Sequence, residues 1–572
     1  MGSDIETLQK LMASGDITSV ELTKAFLRRI KEIDQPRSGK ENHSSPCLRS
    51  IMETNPDAIS IAKERDEERT RGINRGMLHG IPILVKDNIN SGDSMQTTAG
   101  SIALLGHRAR EDAFVLRKLR ENGAVLLGKT SMSEWANFRS TSSISGWCSR
   151  GGLTRNPYVL DRTAMGSSSG SASAVAAGLG CAAIGTETDG SIVWPAACCS
   201  LVGLKPTVGL ASRSGIIPIS CTQDTPGPMA RTVKDAAILL SAMCCAADET
   251  DLATCDKRAP RSVDYRLHLK EDGLKGARIG VARELFPLDK EVAKVFEDGL
   301  AVMREKGAVI VDPLPPTLCP ERYRDQERAV LQYDMSSYAS NNLPPRKSFI
   351  RNIEELIAFN LKHKDTVMPH FAQERVVLAS KRGGLEDKEY KSFLTAIRRL
   401  SRGEGIDRAM SKHSLDAIVC PSMGVPWQVV RGRAGGGDSE QACSRLAQDP
   451  SGAGGEGYTL SATPAAVAGY PHITVPAGFV AGHLPVGMSF FSGPWREDVL
   501  LRLAFSFEQA TKAMRPPKFI PHVDYAAAAP GGGTPPQAGG NIEEPESRGG
   551  EGKGSHQKSQ NEKGGGEAKA EK

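Results

Sequence analysis

Apolar residues near the start of the chain recur at the spacing of an α-helix. Four of them would share one face of a helix that ends at Gly15: Ile5, Leu8, Leu11 and Met12. Thr18 and Glu21 then form a capping-box pattern, which predicts a second helix that continues through Ile33. The polar stretch QPRSGKENHSSP at 35–46 is typical of a loop.

From about residue 78 the pattern changes to short apolar runs that alternate with helical segments. The runs predict buried strands at 78–89, 124–130, 181–187, 277–282, 308–314, 416–422 and 472–479. Between them, helical patterns lie at 113–123, 171–179 and, in a charged region, at about 320–412. Because this alternation is typical of α/β proteins, we predict a mixed, twisted β-sheet sandwiched by helices.

Two segments have compositions that do not support a packed core. The stretch at 431–457 is rich in Gly and polar residues, which predicts a long flexible loop within the domain. From Ala526 to the end, the chain consists largely of Gly, Pro, Ala and charged residues. We therefore predict a single domain at 1–525, followed by a disordered tail at 526–572.

Composition and charge exclude several classes of function. Only 5% of the 572 residues are aromatic and the net charge is +5, so nothing indicates a nucleic-acid partner. None of the 12 cysteines forms a Cys-x-x-Cys pair or a zinc-type cluster with His, which predicts reduced thiols and no metal site. No secretory signal and no membrane-spanning run is visible, which predicts a cytoplasmic location. The sequence does not indicate an oligomeric state.

The densest candidate for chemistry is the Ser- and Gly-rich stretch between Met165 and Ala196. Its GSSSG pentamer fits the nucleophile elbow of α/β-hydrolases, with Ser168 as nucleophile and Asp416 and His472 as possible downstream partners. The elbow requires a strand that runs directly into the turn. The preceding residues, RNPYVLDRTAM, do not have a strand pattern, which argues against this interpretation.

Two other residues suggest a different arrangement. Lys86 ends an apolar run, and burial there would lower the pKa of its amine and favour a neutral base. Ser191 follows Thr188, Asp189 and Gly190 in a turn whose backbone N–H groups could together bind an oxyanion. Taken alone, each residue is more often a strand-end lysine or an ordinary turn serine.

With these motifs in place, the sequence resembles the amidase signature family from Glu6 to about His522. The resemblance rests on many motifs in the family's order: LHGIPILVKDNI (78–89), TTAGS (97–101), LGKTSMSEWANFRS (127–140), GSSSGSASAVAAG (166–178), TETDGSIVWPA (186–196), VGLKPTVGL (202–210), QDTPGPMARTV (223–233), PAAVAGYPHITVPAGF (464–479) and LPVGMSFF (484–491). It implies a single amidase-signature domain whose core signature covers about 78–240.

The resemblance also implies a Ser–Ser–Lys triad. The family's motifs place the nucleophile at Ser191, the bridging serine at Ser167 and the base at Lys86. They imply a cis peptide bond before Ser167 and a hydrogen bond between Ser168 and Lys86. The backbone of residues 188–191 would hold the oxyanion, and Trp135 and Ala136 are candidates for substrate contact.

The sequence departs from the family's commonest signature, D-x-G-G-S-I-R. Glu187 stands in place of the Asp, Asp189 of the first Gly and Val193 of the Arg, while Met165 occupies a position where Gly is usual. The form T-E-T-x-G-S-I resembles a subset that includes bacterial peptide amidases and related plant and fungal proteins. Since Asp189 would lie beside the acyl site, the resemblance implies no particular substrate.

The activity implied is hydrolysis of a small-molecule or peptide carboxamide through an acyl-serine, without a metal or cofactor. Two alternatives stay open. One is the glutaminase-like A subunit of a tRNA-dependent amidotransferase, which shares the signature and delivers ammonia to a partner. The other is a non-catalytic binding protein on the same fold, which the presence of Lys86, Ser167 and Ser191 argues against.

Overall fold

The protein is described by a computed structural model over residues 2–35, 45–286, 289–339, 350–429 and 461–525. Three predicted segments fall wholly or largely outside these ranges: the loops at 35–46 and 431–457 and the tail at 526–572. The domain boundary at 525 therefore stays a prediction.

The strands, in chain order, are β1 (Ile51–Thr54), β2 (Pro82–Lys86), β3 (Val125–Thr130), β4 (Trp147–Cys148), β5 (Gly152–Leu153), β6 (Ala182–Glu187), β7 (Val202–Lys205), β8 (Thr225–Ala230), β9 (Arg278–Val281), β10 (Val309–Val311), β11 (Ala417–Pro421), β12 (His472–Val480) and β13 (Leu484–Phe491). Within the described residues, eleven of them form one sheet in the order β1-β3-β2-β6-β8-β7-β12-β13-β11-β9-β10. Strands β4 and β5 form a separate two-stranded sheet.

The large sheet is mixed. Strand β2 pairs in parallel with β3 and β6, and β9 pairs in parallel with β10 and β11. The strands between these two groups pair antiparallel. The predicted α/β fold with a mixed sheet flanked by helices is therefore confirmed.

The α-helices, in chain order, are α1 (Ile5–Ser14), α2 (Ser19–Ile33), α3 (Ala58–Thr70), α4 (Phe114–Glu121), α5 (Ser169–Ala176), α6 (Val193–Cys198), α7 (Val233–Met243), α8 (Lys290–Glu305), α9 (Arg324–Tyr333), α10 (Ile353–Lys362), α11 (Lys364–Val367), α12 (Glu374–Ala379), α13 (Lys388–Arg398), α14 (Asp407–His413), α15 (Thr463–Ala468) and α16 (Glu497–Thr511). Helix α5 consists of Ser, Gly, Ala and Val and is buried along its whole length. Its small side chains let it pack closely against β2, β3, β6 and β8.

The periodic patterns predict seven of the thirteen strands in the described residues and four helices at nearly their observed positions, and the predicted helical region at 320–412 contains α9 to α13. Helix α1 ends at Gly15, whose φ of 80° suits glycine, and Thr18 and Glu21 form the predicted capping box of α2. Helix α5 begins two residues before the predicted segment. Strands β1, β4, β5, β7, β8 and β13 were not predicted from the pattern. No helix in the described ranges has the length and apolar character needed to cross a membrane.

Candidate active site

Two neighbouring parallel strands bring the candidate base to one edge of the sheet. Lys86 ends β2, and Thr186 and Glu187 end β6, so their side chains lie at the carboxyl ends of adjacent strands. Lys86 is fully buried, and its Nζ donates to Ser167 Oγ at 2.7 Å. It also donates to the backbone oxygen and to Oγ1 of Thr186, each at 2.9 Å.

The surroundings of Lys86 favour the neutral amine. Burial lowers the pKa of Lys86 to about 7, while the charges of Asp224 and Glu187 oppose this shift. A neutral amine has two N–H donors and one lone pair. Since the Thr186 carbonyl can only accept, one of the two hydroxyls around Nζ must then donate to that lone pair. Ser167 is thus close enough to pass a proton to Lys86.

The turn that carries Ser167 precedes helix α5. The Gly166–Ser167 peptide bond is cis, as the resemblance implies. Gly166 is needed for space, because a Cβ at this position would lie 2.2 Å from Ser133 Oγ. The Ser167 carbonyl accepts a hydrogen bond from the Ser133 N–H at 3.0 Å, so the two chain segments hold each other in place.

Ser168 does not take the role that the resemblance implies. Its fully buried hydroxyl donates to the Thr186 carbonyl at 3.1 Å and accepts from the Thr186 N–H at 3.3 Å, rather than bonding to Lys86. The expected hydrogen bond between Ser168 and Lys86 is therefore wrong, since both side chains donate to the Thr186 carbonyl instead. Ser168 supports the strand end that holds the base.

Ser191 lies in the turn between β6 and α6 and is 6% exposed. Gly190 has a φ of 74°, and a Cβ there would lie 2.1 Å from the Trp194 ring, so the turn has no room for a side chain at this position. The Ser168 N–H donates to the Ser191 carbonyl at 3.2 Å. This bond joins the turns of Ser167 and Ser191 directly.

The Ser191 hydroxyl makes no hydrogen bond with a described residue. Catalytic hydrogen bonds are often long in a free enzyme and shorten when substrate binds. The N–H groups of Asp189 and Ser191 likewise have no acceptor within the described ranges. The turn can therefore offer both a free hydroxyl and free N–H donors to a substrate carbonyl.

Two carboxylates anchor this turn. Glu187 accepts hydrogen bonds from the N–H groups of Ile192 at 2.7 Å and Val193 at 3.0 Å, directly after Ser191. Asp224 accepts from the Thr188 hydroxyl at 2.6 Å. Burial raises the pKa of both carboxyls. Asp224 was not identified from the sequence as a site residue, although it lies in the motif QDTPGPMARTV.

Asp189 has its own set of contacts. Its Oδ2 accepts a hydrogen bond from the Thr463 hydroxyl at 2.8 Å. Burial and the nearby carboxyl of Glu327 raise the pKa of Asp189 well above its usual range. The pKa of Glu327 is raised as well, chiefly by burial. The two acids are thus poorly suited to being charged at the same time.

The two candidates for substrate contact lie in different places. Trp135 and Ala136 both have left-handed backbone, with φ near 50°. Ala136 lines a small cavity together with Asn88, Thr186 and Thr188. Trp135 is fully buried and packs in an apolar cluster instead.

The α/β-hydrolase alternative is not supported by the geometry. The Nε2 atom of His472 lies 2.6 Å from Ser489 Oγ, and burial lowers the pKa of His472 to about 3. Ser168, the nucleophile in the α/β-hydrolase alternative, donates a hydrogen bond to the backbone of Thr186. The structure therefore does not form the Ser168–Asp416–His472 arrangement. In the part of the chain that is described, no three His, Cys, Asp or Glu residues are grouped to bind a metal.

Comparisons with known proteins show which family the chain is similar to. A model of the family described as Amidase matches residues 21–501. The chain is 36% identical over 529 residues to a probable amidase of Arabidopsis thaliana, covering 90% of this chain and 91% of the relative. It is 33% identical over 517 residues to the A subunit of the glutamyl-tRNA(Gln) amidotransferase of Clostridium kluyveri, covering 88% and 94%.

Solved structures show the same similarity. The native peptide amidase of Stenotrophomonas maltophilia is 44% identical, with a TM-score of 0.81 and coverage of 91% of this chain and 99% of that chain. The A subunit of the glutamyl-tRNA(Gln) amidotransferase of Thermotoga maritima is 25% identical, with a TM-score of 0.60 and coverage of 89% and 94%.

Proposed function

The chain belongs to the amidase family and is an amide-hydrolysing enzyme, and from this premise we propose that it acts through Ser191, Ser167 and Lys86. The observation that carries the proposal is the 2.7 Å contact between Lys86 Nζ and Ser167 Oγ, around an amine whose pKa is lowered to about 7. A buried, partly neutral amine next to a serine hydroxyl is the base that a serine nucleophile requires.

In the proposed acylation step, Ser191 Oγ attacks the carbonyl carbon of the substrate amide. Its proton passes to Ser167 Oγ as the Ser167 proton passes to Lys86 Nζ. The negative oxygen of the tetrahedral intermediate would accept hydrogen bonds from the turn at 188–191, where the N–H groups of Asp189 and Ser191 have no acceptor in the described residues.

The intermediate then collapses with cleavage of the C–N bond. Lys86, now an ammonium, returns its proton through Ser167 to the leaving nitrogen, which departs as ammonia or an amine. A water molecule attacks the acyl-serine and transfers a proton along the same path. The acid is released, and Ser191 regains its proton.

We propose that the substrate is an amino-acid or peptide carboxamide. Support comes from the 44% identity and TM-score of 0.81 to the peptide amidase of Stenotrophomonas maltophilia. The alternative, a glutaminase-like amidotransferase subunit, has some support from the 33% identity to the Clostridium kluyveri protein. Because the TM-score to the Thermotoga maritima protein is only 0.60, we place the amidase function first.

The proposal is tested with a fluorophosphonate probe and a panel of carboxamides. We expect the purified chain to be labelled on Ser191 and to hydrolyse peptide amides without a partner subunit. Ser191→Ala should abolish labelling and lower kcat by roughly 10⁶-fold, as loss of a nucleophile does in serine hydrolases. Labelling of Ser168, or activity on glutamine alone and only with a second subunit, would contradict the proposal.

A further inference from the structure

A small cavity lies beside the candidate base. It has a volume of about 10 Å³, which is room for about one water-sized group. Its polar lining includes Asn88, Thr186, Thr188 and Asp224, and Ala136 and the segment 216–219 supply apolar contacts. A space of this size can hold a group as small as –NH₂.

The cavity is connected to Lys86 through one hydroxyl. Thr186 Oγ1 accepts from Lys86 Nζ at 2.9 Å and from Asn88 Nδ2 at 3.0 Å. Thr186 thus lines the cavity and contacts the amine of Lys86. In the proposed function, the leaving nitrogen must receive its proton from the Ser167–Lys86 pair, so it must lie on this side of the substrate carbonyl.

Asn88 presents an acceptor with no partner. Its Nδ2 is committed, since it donates to Thr186 Oγ1 and, at 3.4 Å, to the Ile217 carbonyl. Asn88 is 4% exposed, and its Oδ1 is buried without a hydrogen bond to any described residue. A buried acceptor left unpaired destabilises the protein, and a donor from a ligand would offset this cost.

Thr188 presents a second acceptor. Its hydroxyl proton is donated to Asp224 Oδ1 at 2.6 Å, and Asp224 Oδ2 accepts from the N–H groups of Ile219 at 2.7 Å and Ser220 at 2.9 Å. Asp224 thus holds the Thr188 hydroxyl in one orientation. With its proton engaged, Thr188 Oγ1 can only accept from a group in the cavity.

We propose that this cavity is the subsite for the leaving nitrogen of an unsubstituted carboxamide, whose two N–H bonds donate to Asn88 Oδ1 and Thr188 Oγ1. The inference rests on the proposed function and narrows it to primary amides. Acylation forms the bond between Ser191 Oγ and the substrate carbon and breaks the C–N bond. The proton that leaves Ser191 ends on the nitrogen, which is released as ammonia.

The first test compares three substrates with one acyl group: the primary amide, the N-methylamide and the methyl ester. The N-methylamide has one N–H fewer and carries an added methyl group. We expect its kcat/KM to be at least about 100-fold below that of the primary amide, because a site built to bind an N–H rejects analogues that lack it. Equal turnover of the two amides would overturn the proposal.

The second test uses a matched pair of variants, with the methyl ester as internal reference because it has no N–H to donate. Thr188→Val removes the acceptor, so we expect the amide-to-ester ratio of kcat/KM to fall about tenfold, whereas Thr188→Ser should keep it. A purely structural role would lower both rates equally and leave the ratio unchanged, which would overturn the proposal. Ser191 labelling in each variant separates this failure from failure of the catalytic assignment.

Discussion

Lys86 and Lys205 are both fully buried, and both end strands of the same sheet, β2 and β7. Burial lowers the pKa of Lys86 to about 7 and that of Lys205 to about 8. Their hydrogen bonds differ, however. Lys86 Nζ contacts the hydroxyls of Ser167 and Thr186, whereas Lys205 Nζ donates to the Pro206 carbonyl at 3.1 Å.

Carboxyl groups oppose the effect of burial at both amines, but more of them surround Lys205, whereas Asp224 and Glu187 act on Lys86. Glu187, Glu497 and Asp189 all raise the pKa of Lys205 against the effect of burial. Lys205 therefore balances a group of buried carboxyls, one of which, Glu187, anchors the turn after Ser191. A low pKa alone does not identify a catalytic lysine. In the proposed function, what distinguishes Lys86 is its contact with the Ser167 hydroxyl, which can pass a proton to the amine and take it back.

The difference between the two lysines is tested most directly by replacing each with Met, which keeps much of the side-chain volume and removes the amine. We expect Lys86→Met to lower kcat/KM by roughly 10²- to 10⁴-fold, the contribution typical of a general base. Urea unfolding should show a stability within about 1 kcal/mol of the parent, because removal of a buried amine offsets the lost hydrogen bonds. Retention of activity by this variant would remove Lys86 from the mechanism.

The pH dependence sharpens the comparison further. Protonated Lys86 cannot accept a proton, so kcat/KM should fall about tenfold per pH unit below pH 7 and level off above it. The residual activity of Lys86→Met should lack this limb. His472, whose pKa is lowered to about 3, is neutral throughout this range and cannot produce it.

Glu508 supplies the control for that profile. Burial raises its pKa to about 7, the same value as for Lys86, but its carboxylate accepts from the Val233 N–H and does not contact the site. Glu508→Gln should therefore keep the limb at its original position. If the limb moves in Glu508→Gln and persists in Lys86→Met, the titrating group is not Lys86.

The sequence predicts the parts of this site that depend on local pattern. The sequence itself shows the apolar run that ends at Lys86 and the glycine before Ser191. The helices at 5–33 follow from the spacing of apolar residues and from capping residues. Family motifs supplied the pairing of the two serines. Those motifs also suggested a hydrogen bond between Ser168 and Lys86, whereas Ser168 bonds to the backbone of Thr186.

What could not be predicted depends on contacts between distant segments. Strand β8 contains Pro226 and Pro228, and proline in a run argues against a central strand, yet β8 pairs with both β6 and β7. Asp224 directly precedes β8, so its position beside Thr188 could not be read from the sequence either. The unpaired acceptor of Asn88 likewise depends on distant segments, because its Nδ2 donates to Thr186 Oγ1 and to the Ile217 carbonyl.

The second variant of the lysine comparison, Lys205→Met, should have the smallest effect on catalysis. This change leaves the Pro206 carbonyl without its donor and the buried carboxyls of Glu187 and Glu497 without a nearby cation. We therefore expect the free energy of unfolding to fall by about 1–3 kcal/mol at pH 8. Once folded, the variant should retain kcat/KM within about tenfold, since Lys205 does not contact Ser167 or Ser191.

The pH dependence of the stability lost in Lys205→Met tests whether Lys205 acts through its charge. Without Lys205 the folded-state pKa values of Glu187 and Glu497, already raised by burial, should rise further above their unfolded values. A raised carboxyl pKa stabilises the fold at low pH and loses that contribution as pH rises through the folded-state value. The destabilisation measured by urea unfolding should thus be smaller at pH 5 than at pH 8. An equal loss at both pH values would mean that Lys205 acts by packing, not by balancing charge.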